Sequence, residues 1–181
     1  MNICVFCSSS NDIADVYRKD ALLLGKKIGE KSHSLIYGGA NMGLMQVCAT
    51  AVRDAGGTVI GIVPDNLRKN TEQKVLDQVF FVADLAERKE MMIEYADVFI
   101  ALPGGFGTLD EVFEVLALAT VEAHDKKLII VNTNGYYTHL LAHIEHSIQE
   151  KAINASLQKT FAVANSIGEC FSLIENENTA L

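Results

Sequence analysis

Val98-Phe99-Ile100-Ala101-Leu102-Pro103-Gly104-Gly105-Phe106-Gly107-Thr108 passes from an unbroken apolar run, through three glycines, into a helical pattern. A strand buried on one face only would alternate apolar and polar residues. A continuous run such as this one, or Leu128-Ile129-Ile130-Val131, belongs to a strand covered on both faces, as in a parallel sheet. Working outward, further strand candidates are Ile3–Cys7, Ser34–Tyr37, Thr58–Val63, Gln78–Val82 and Thr160–Val163; the two quoted runs extend to Val98–Leu102 and Lys127–Asn132. Helical patterns fill the intervals at Ala14–Lys31, Gly43–Ala55, Leu85–Tyr95, Thr108–Ala123, Tyr136–Glu150 and Gly168–Glu175.

Strands alternating with helices over short connections make βαβ units. Right-handed crossovers then give a three-layer α/β architecture, a Rossmann-like, doubly wound and mostly parallel sheet. Ligands of such sheets sit at the carboxyl ends of the strands, and the glycine clusters follow Tyr37 and Leu102, at two of those ends. Residues 1–181 read as one nucleotide-binding domain with a frayed tail at 176–181. No repeat or linker interrupts it.

Composition narrows the ligand. The chain has a formal net charge of -8 and a pI near 5.1. Non-specific nucleic-acid binding depends on Lys and Arg neutralising phosphates, so a nucleic-acid partner is not expected. A small phosphorylated ligand needs only a few backbone N–H groups and a cation or two. Trp is absent, which excludes a base platform built on it. The N-terminus has neither the basic nor the apolar stretch of a signal sequence, and no apolar run approaches membrane-spanning length; a cytoplasmic protein without membrane partners is expected. Cys4, Cys7, Cys48 and Cys170 then read as reduced thiols.

In the loop Gly104-Gly105-Phe106-Gly107-Thr108, glycines permit close approach of a ligand to the backbone, and the following helix N-terminus presents unpaired N–H groups. Together these suit an anion, most naturally phosphate. Asp110 stands where a dinucleotide fingerprint has its third glycine, and no Gly-Lys-Ser/Thr follows as in a Walker A loop. Thr108-Leu109-Asp110-Glu111 also matches a capping box, with Thr108 as N-cap and Glu111 bonding back to it. The second loop carries Gly38, Gly39 and Gly43 at P-loop spacing, but Leu44 replaces the lysine. It reads equally as a ligand loop or as a tight structural turn. Cys7-Ser8-Ser9-Ser10-Asn11 follows the first strand and offers hydroxyls, or simply a turn. Glu87-Arg88-Lys89 reads by itself as a solvated helix face, although Arg can also grip a phosphate bidentately.

Other constellations carry less. Cys4 and Cys7 form a C-x-x-C, but in a strand they point to opposite faces. His139, His143 and His146 share a helical stripe beside the apolar Leu140, Ile144 and Ile148, on its wet side. Neither a metal site nor a cofactor is expected.

Taken together, Pro103-Gly104-Gly105-Phe106-Gly107-Thr108 and Glu111 resemble the PGGxGTxxE motif of the "lonely guy" family. Those proteins are cytokinin riboside 5′-monophosphate phosphoribohydrolases, often labelled possible lysine decarboxylases. Val5-Phe6-Cys7 with Ser9, Gly38-Gly39 with Gly43-Leu44-Met45, Glu87-Arg88-Lys89 with Met92, His124-Asp125-Lys126 and Asn134-Gly135-Tyr136-Tyr137 fit the same family. The resemblance runs from the first strand to about residue 150.

It implies a homodimer that cleaves the N-glycosidic bond of a nucleoside 5′-monophosphate, releasing free base and ribose 5-phosphate. The family's catalytic arginine and glutamate fall on Arg88 and Glu111. The substrate would lie on Lys89 and on Gly104, Gly105, Phe106, Gly107 and Thr108, with Ser9, Gly39, Gly43 and Met45 from the neighbouring loops. A carboxylate would stabilise an oxocarbenium-like state or orient water, as in glycoside hydrolysis. The alternative on the same scaffold is a non-catalytic carrier of a nucleotide or a molybdopterin-type cofactor. Departures from the family are Ser8 for a usual Gly, Asp110 for Glu, and Leu118-Ala119-Thr120-Val121-Glu122 for a Trp-x-Gln-x-Gly segment. The last bears on the base pocket or the dimer contact, and adenosine 5′-monophosphate is a reasonable substrate. No Ser-x-His-Lys segment that would anchor pyridoxal phosphate is present.

Overall fold

The structure, a computed structural model, describes residues 1–70 and 75–178. Its strands are β1 (Asn2–Phe6), β2 (Ser34–Tyr37), β3 (Thr58–Pro64), β4 (Gln78–Val82), β5 (Val98–Ala101), β6 (Leu128–Val131) and β7 (Phe161–Ala164). The helices are α1 (Asp15–Glu30), α2 (Gly43–Asp54), α3 (Leu85–Tyr95), α4 (Phe106–Thr120), α5 (Thr138–Gln149) and α6 (Ile167–Asn178). The strands form one sheet in the order β4-β3-β2-β1-β5-β6-β7. Where a mostly parallel sheet was expected, every pairing is parallel.

The continuous apolar runs are explained by two cores. Ile3, Val5, Leu35, Val98, Ile100 and Ile129 face α1, α2 and α6. Cys4, Phe6, Ile36, Phe99, Ala101 and Ile130 face α3, α4 and α5. Successive residues of one strand enter opposite layers, as the pleat requires. Cys4 and Cys7 accordingly lie in different cores, and burial pushes both thiols well above their usual range. Neither is a ready thiolate.

The chain winds outward from β1 through β4, then returns to the centre at β5 and winds the other way. The connections after β1 and β5 therefore leave in opposite directions, and a crevice opens between them at the carboxyl ends of the strands. Ser8 ties its rims together. Its N–H donates to the Pro103 carbonyl at 3.1 Å, and its own carbonyl accepts from Leu44 N–H at 2.8 Å. The β1, β2 and β5 loops are thus fastened through one buried residue.

Three expectations need correction. The helix after the glycines begins at Phe106, not at Thr108; Gly105 is the N-cap and no side chain caps it. Thr108 therefore lies inside the first turn, buried, with its hydroxyl against Gly104. No Cβ at 105 or 107 meets any neighbour, so the backbone is free to wind early. The fifth helix starts at Thr138, because Asn134 and Gly135 adopt φ of 54° and 71° in a 3-10 turn that cannot continue a helix. The last helix runs to Asn178, through part of the stretch expected to fray, because Cys170, Phe171 and Ile174 anchor it on the core. Residues 179–181 lie outside the described residues.

Gly43 sits at φ 58°, where a Cβ would stand 2.5 Å from the Ser9 carbonyl carbon and 2.6 Å from the Ser8 oxygen. Gly43→Ala is expected to lower stability by about 2–4 kcal/mol in urea unfolding, through strain and a backbone clash together. An unchanged midpoint would mean that the β1 and β2 loops do not pack as seen.

Candidate active site

Arg88 and Glu111 meet across two helices. On α3, Asp84 caps the N-terminus by accepting from Ala86 and Glu87 N–H, and Glu87 reaches back to Ala83 N–H. Glu87 is thus part of the helix start, and the next residue, Arg88, turns inward. At the other end of α3, Lys126 donates to the carbonyls of Ile93 and Glu94, which suits a cation at a helix C-terminus.

Arg88 Nη2 donates to Glu111 Oε1 at 2.6 Å, with both side chains buried. The solvated-face expectation for Arg88 is overturned, because the sheet order sets α3 and α4 side by side on one face. Glu111 does not bond back to Thr108 as a capping box requires; it lies in the second turn of α4 and is taken by the guanidinium. Arg88 Nε, also buried, has no hydrogen-bond partner among the described residues. Gly38 lies close to Arg88 Nη1, and Met45 covers the same glycine from α2. A buried donor left unpaired costs about 1–3 kcal/mol unless something fills it. The guanidinium therefore keeps N–H donors for a ligand while Nη2 holds the carboxylate.

Burial pushes the Glu111 carboxyl up from 4.5 to about 7, with Arg88 pulling down and Asp110 pushing up. A carboxyl in that range can exchange a proton near neutral pH. Lys89 is placed differently. Its ammonium is already held by Asp110 at 3.0 Å and Glu114 at 3.3 Å, strapping α3 to α4. Burial by itself would lower the Lys89 pKa, but those two hydrogen bonds outweigh it and raise it above the usual range.

The glycine loop supplies the other half of the site. The first N–H groups of α4, from Gly105 to Thr108, have neither a capping side chain nor an intrahelical acceptor. With the helix dipole behind them they make an anion seat. Gly104 is buried beneath Thr108, while Gly105, Phe106 and Gly107 are exposed. Phe106 is 93% exposed, its ring standing free at the rim. Ser9 is exposed on the β1 loop, and Gly39, at φ 73°, is packed beneath the β2 loop against Val63. Gly43 donates its N–H to Asn11 Oδ1 at 2.9 Å.

The structure thus sets Arg88 against Glu111, places Gly38, with Met45 over it, beside the guanidinium, and starts at the glycine loop the helix that carries Glu111. The sequence singled out neither the knot at Ser8 nor the support from Asn11; a serine and an asparagine in a loop give no period or spacing to notice. Leu118 to Thr120 close α4, ~10–14 Å along the axis from Glu111, and Val121 and Glu122 follow the helix. Among the described residues, no group of three His, Cys, Asp or Glu side chains could hold a metal, and no helix is long and apolar enough to cross a membrane.

Residues 45–174 match the family model described as possible lysine decarboxylase. The chain is 38% identical to cytokinin riboside 5′-monophosphate phosphoribohydrolase LOG5 of Arabidopsis thaliana, over 96% of this chain and 76% of that protein. It is 37% identical to the LOG3 enzyme of the same plant, over 96% and 81%. Among solved structures, the molybdenum cofactor binding protein of Rippkaea orientalis superposes with a TM-score of 0.75 over 97% of this chain and 95% of that one. At 24% identity that likeness concerns the fold alone.

The raised Glu111 pKa has a sign. The folded chain holds this proton more tightly than the unfolded chain, so its stabilising contribution is complete below about pH 4.5 and is lost as pH rises to about 7. Between pH 5 and pH 8, urea unfolding of the wild type is expected to lose on the order of 2–3 kcal/mol relative to Glu111→Gln. Parallel pH profiles for the two proteins would refute the shift.

Proposed function

The chain belongs to the family described as possible lysine decarboxylase, with the plant cytokinin riboside 5′-monophosphate phosphoribohydrolases among its relatives, and on that premise we propose that it hydrolyses the N-glycosidic bond of a nucleoside 5′-monophosphate. The observation that carries the proposal is the buried Arg88–Glu111 pair beside an uncapped helix N-terminus. An anion carrier has use for the N–H groups and the arginine. It has none for a buried carboxylate, which opposes the ligand's charge.

The geometry supports the following course. The 5′-phosphate rests on the N–H groups of Gly105 to Thr108. Arg88 holds ribose or phosphate through Nε and keeps the sugar over Glu111. As the bond from C1′ to the base lengthens, positive charge develops on the ribose ring, and the ionised Glu111 stabilises it. Water adds its oxygen to C1′ and passes a proton to Glu111; the base leaves with the electron pair of the broken bond and is protonated in turn. The products are free base and ribose 5-phosphate. Adenosine 5′-monophosphate and its isoprenoid-modified analogue are the substrates proposed.

The protein is further proposed to act in the cytoplasm as a homodimer. Phe113 on α4 and Val121 just past its end are exposed, and a groove of about 430 Å³ lined by Leu116, Ile144, Ile148 and Ile153 runs between α4 and α5. A second copy covering this face would remove it from water. Phe113→Glu is expected to shift the sedimentation of the protein from dimer to monomer.

Incubation with adenosine 5′-monophosphate, with free base followed by chromatography, tests the chemistry. Glu111→Gln should still bind nucleotide but lose at least about a hundredfold in kcat. Arg88→Ala should lose both affinity and rate, and the wild-type rate should fall as pH drops below about 7 and Glu111 takes up its proton. Undiminished base release by Glu111→Gln would remove the proposed role of that residue.

A further inference from the structure

The connection after β6 reaches back onto the glycine loop. Tyr136 Oη donates to the Gly104 carbonyl at 2.8 Å, and Tyr137 Oη donates to the Leu102 carbonyl at 2.7 Å. With Ser8 N–H on the Pro103 carbonyl, three consecutive carbonyls of the turn, 102 to 104, are each held by a donor from another segment.

We propose that Tyr136 and Tyr137 are positioning residues that clamp the glycine turn so that its free N–H groups form the phosphate seat. The site is the one described above, so this rests on the phosphate-binding reading. In a trans peptide the N–H points opposite to the preceding carbonyl. Holding the Gly104 carbonyl on Tyr136 therefore turns the Gly105 N–H away from the tyrosine. That N–H is the first of the four uncapped donors of α4. A glycine pair without this hold has many backbone conformations of similar energy, and a bound phosphate would have to select one of them.

The tyrosines are themselves fixed. Their rings meet edge to face at 4.9 Å, and Tyr17 of α1 packs edge-on against Tyr136 at 5.4 Å. Tyr137 N–H donates to Asn132 Oδ1 at 2.7 Å, and the Thr133 hydroxyl donates to the Asp20 carboxylate. The left-handed Asn134 and Gly135 bend the chain so that both hydroxyls arrive on one turn.

Tyr136→Phe removes one hydroxyl and keeps the ring packing. Titration of 15N-labelled protein with inorganic phosphate, followed at the Gly105 and Gly107 amides, should give saturable shifts in the wild type and about five- to tenfold weaker affinity in the variant. In turnover of adenosine 5′-monophosphate the variant should raise KM by a similar factor and leave kcat within about twofold. Ile174→Val in α6, a core change outside both the site and the proposed dimer face, should leave phosphate affinity alone. Equal phosphate affinity in wild type and Tyr136→Phe, no phosphate binding by the wild type, or an equal loss of affinity in Ile174→Val would each overturn the clamp. Phosphate binding that follows the expectation without any release of base would leave the clamp standing and remove the hydrolase.

Discussion

One buried residue, Ser8, holds three loops in register: its N–H fastens the β5 loop and its carbonyl fastens the start of α2. Much of the site depends on that junction. The β1 and β5 strands are neighbours in the sheet, and their connections depart in opposite directions. Without a bond across the gap, the crevice between them would be two independent rims. With it, the glycine turn and the β2 loop move as one body, and the guanidinium beneath Gly38 has a fixed roof.

Below that roof, two charges share an enclosed space. An isolated ion taken from water costs several kcal/mol, and a buried pair recovers this only when its geometry is good and its remaining hydrogen bonds are made. Arg88 and Glu111 have the contact, but Nε is left unpaired and the carboxyl is held near the point where it loses its charge. The pair is therefore poorly explained as a stabilising device. It is better explained as a site with a donor and a proton left for a ligand.

The outline of the fold was legible because its signals are local. Strand boundaries followed apolar runs covered on both faces, and β2, β4 and α3 begin and end where those patterns place them. The position of the glycine turn was legible for the same reason: three glycines between a strand and a helix exceed what a cap needs. The capping box misled because Thr-x-x-Glu satisfies a local rule at the very place where a tertiary partner takes the glutamate. Arg88 misled in the opposite sense, since a charge on an amphipathic helix looks solvated until the opposite helix is in place.

By itself, then, the amino-acid order determined the alternation of strands and helices, the parallel sheet and the position of the glycine turns, because each follows from backbone sterics and the burial of near neighbours in sequence. The resemblance of its motifs to a known family added names for Arg88 and Glu111. Only the tertiary structure decided that those two side chains touch, that Lys89 is occupied by Asp110 and Glu114, and that Ser8, Tyr136 and Tyr137 hold the loop. Those contacts join residues 21 to 95 positions apart, and nothing in a short window of sequence records a distance that the order of strands in the sheet sets.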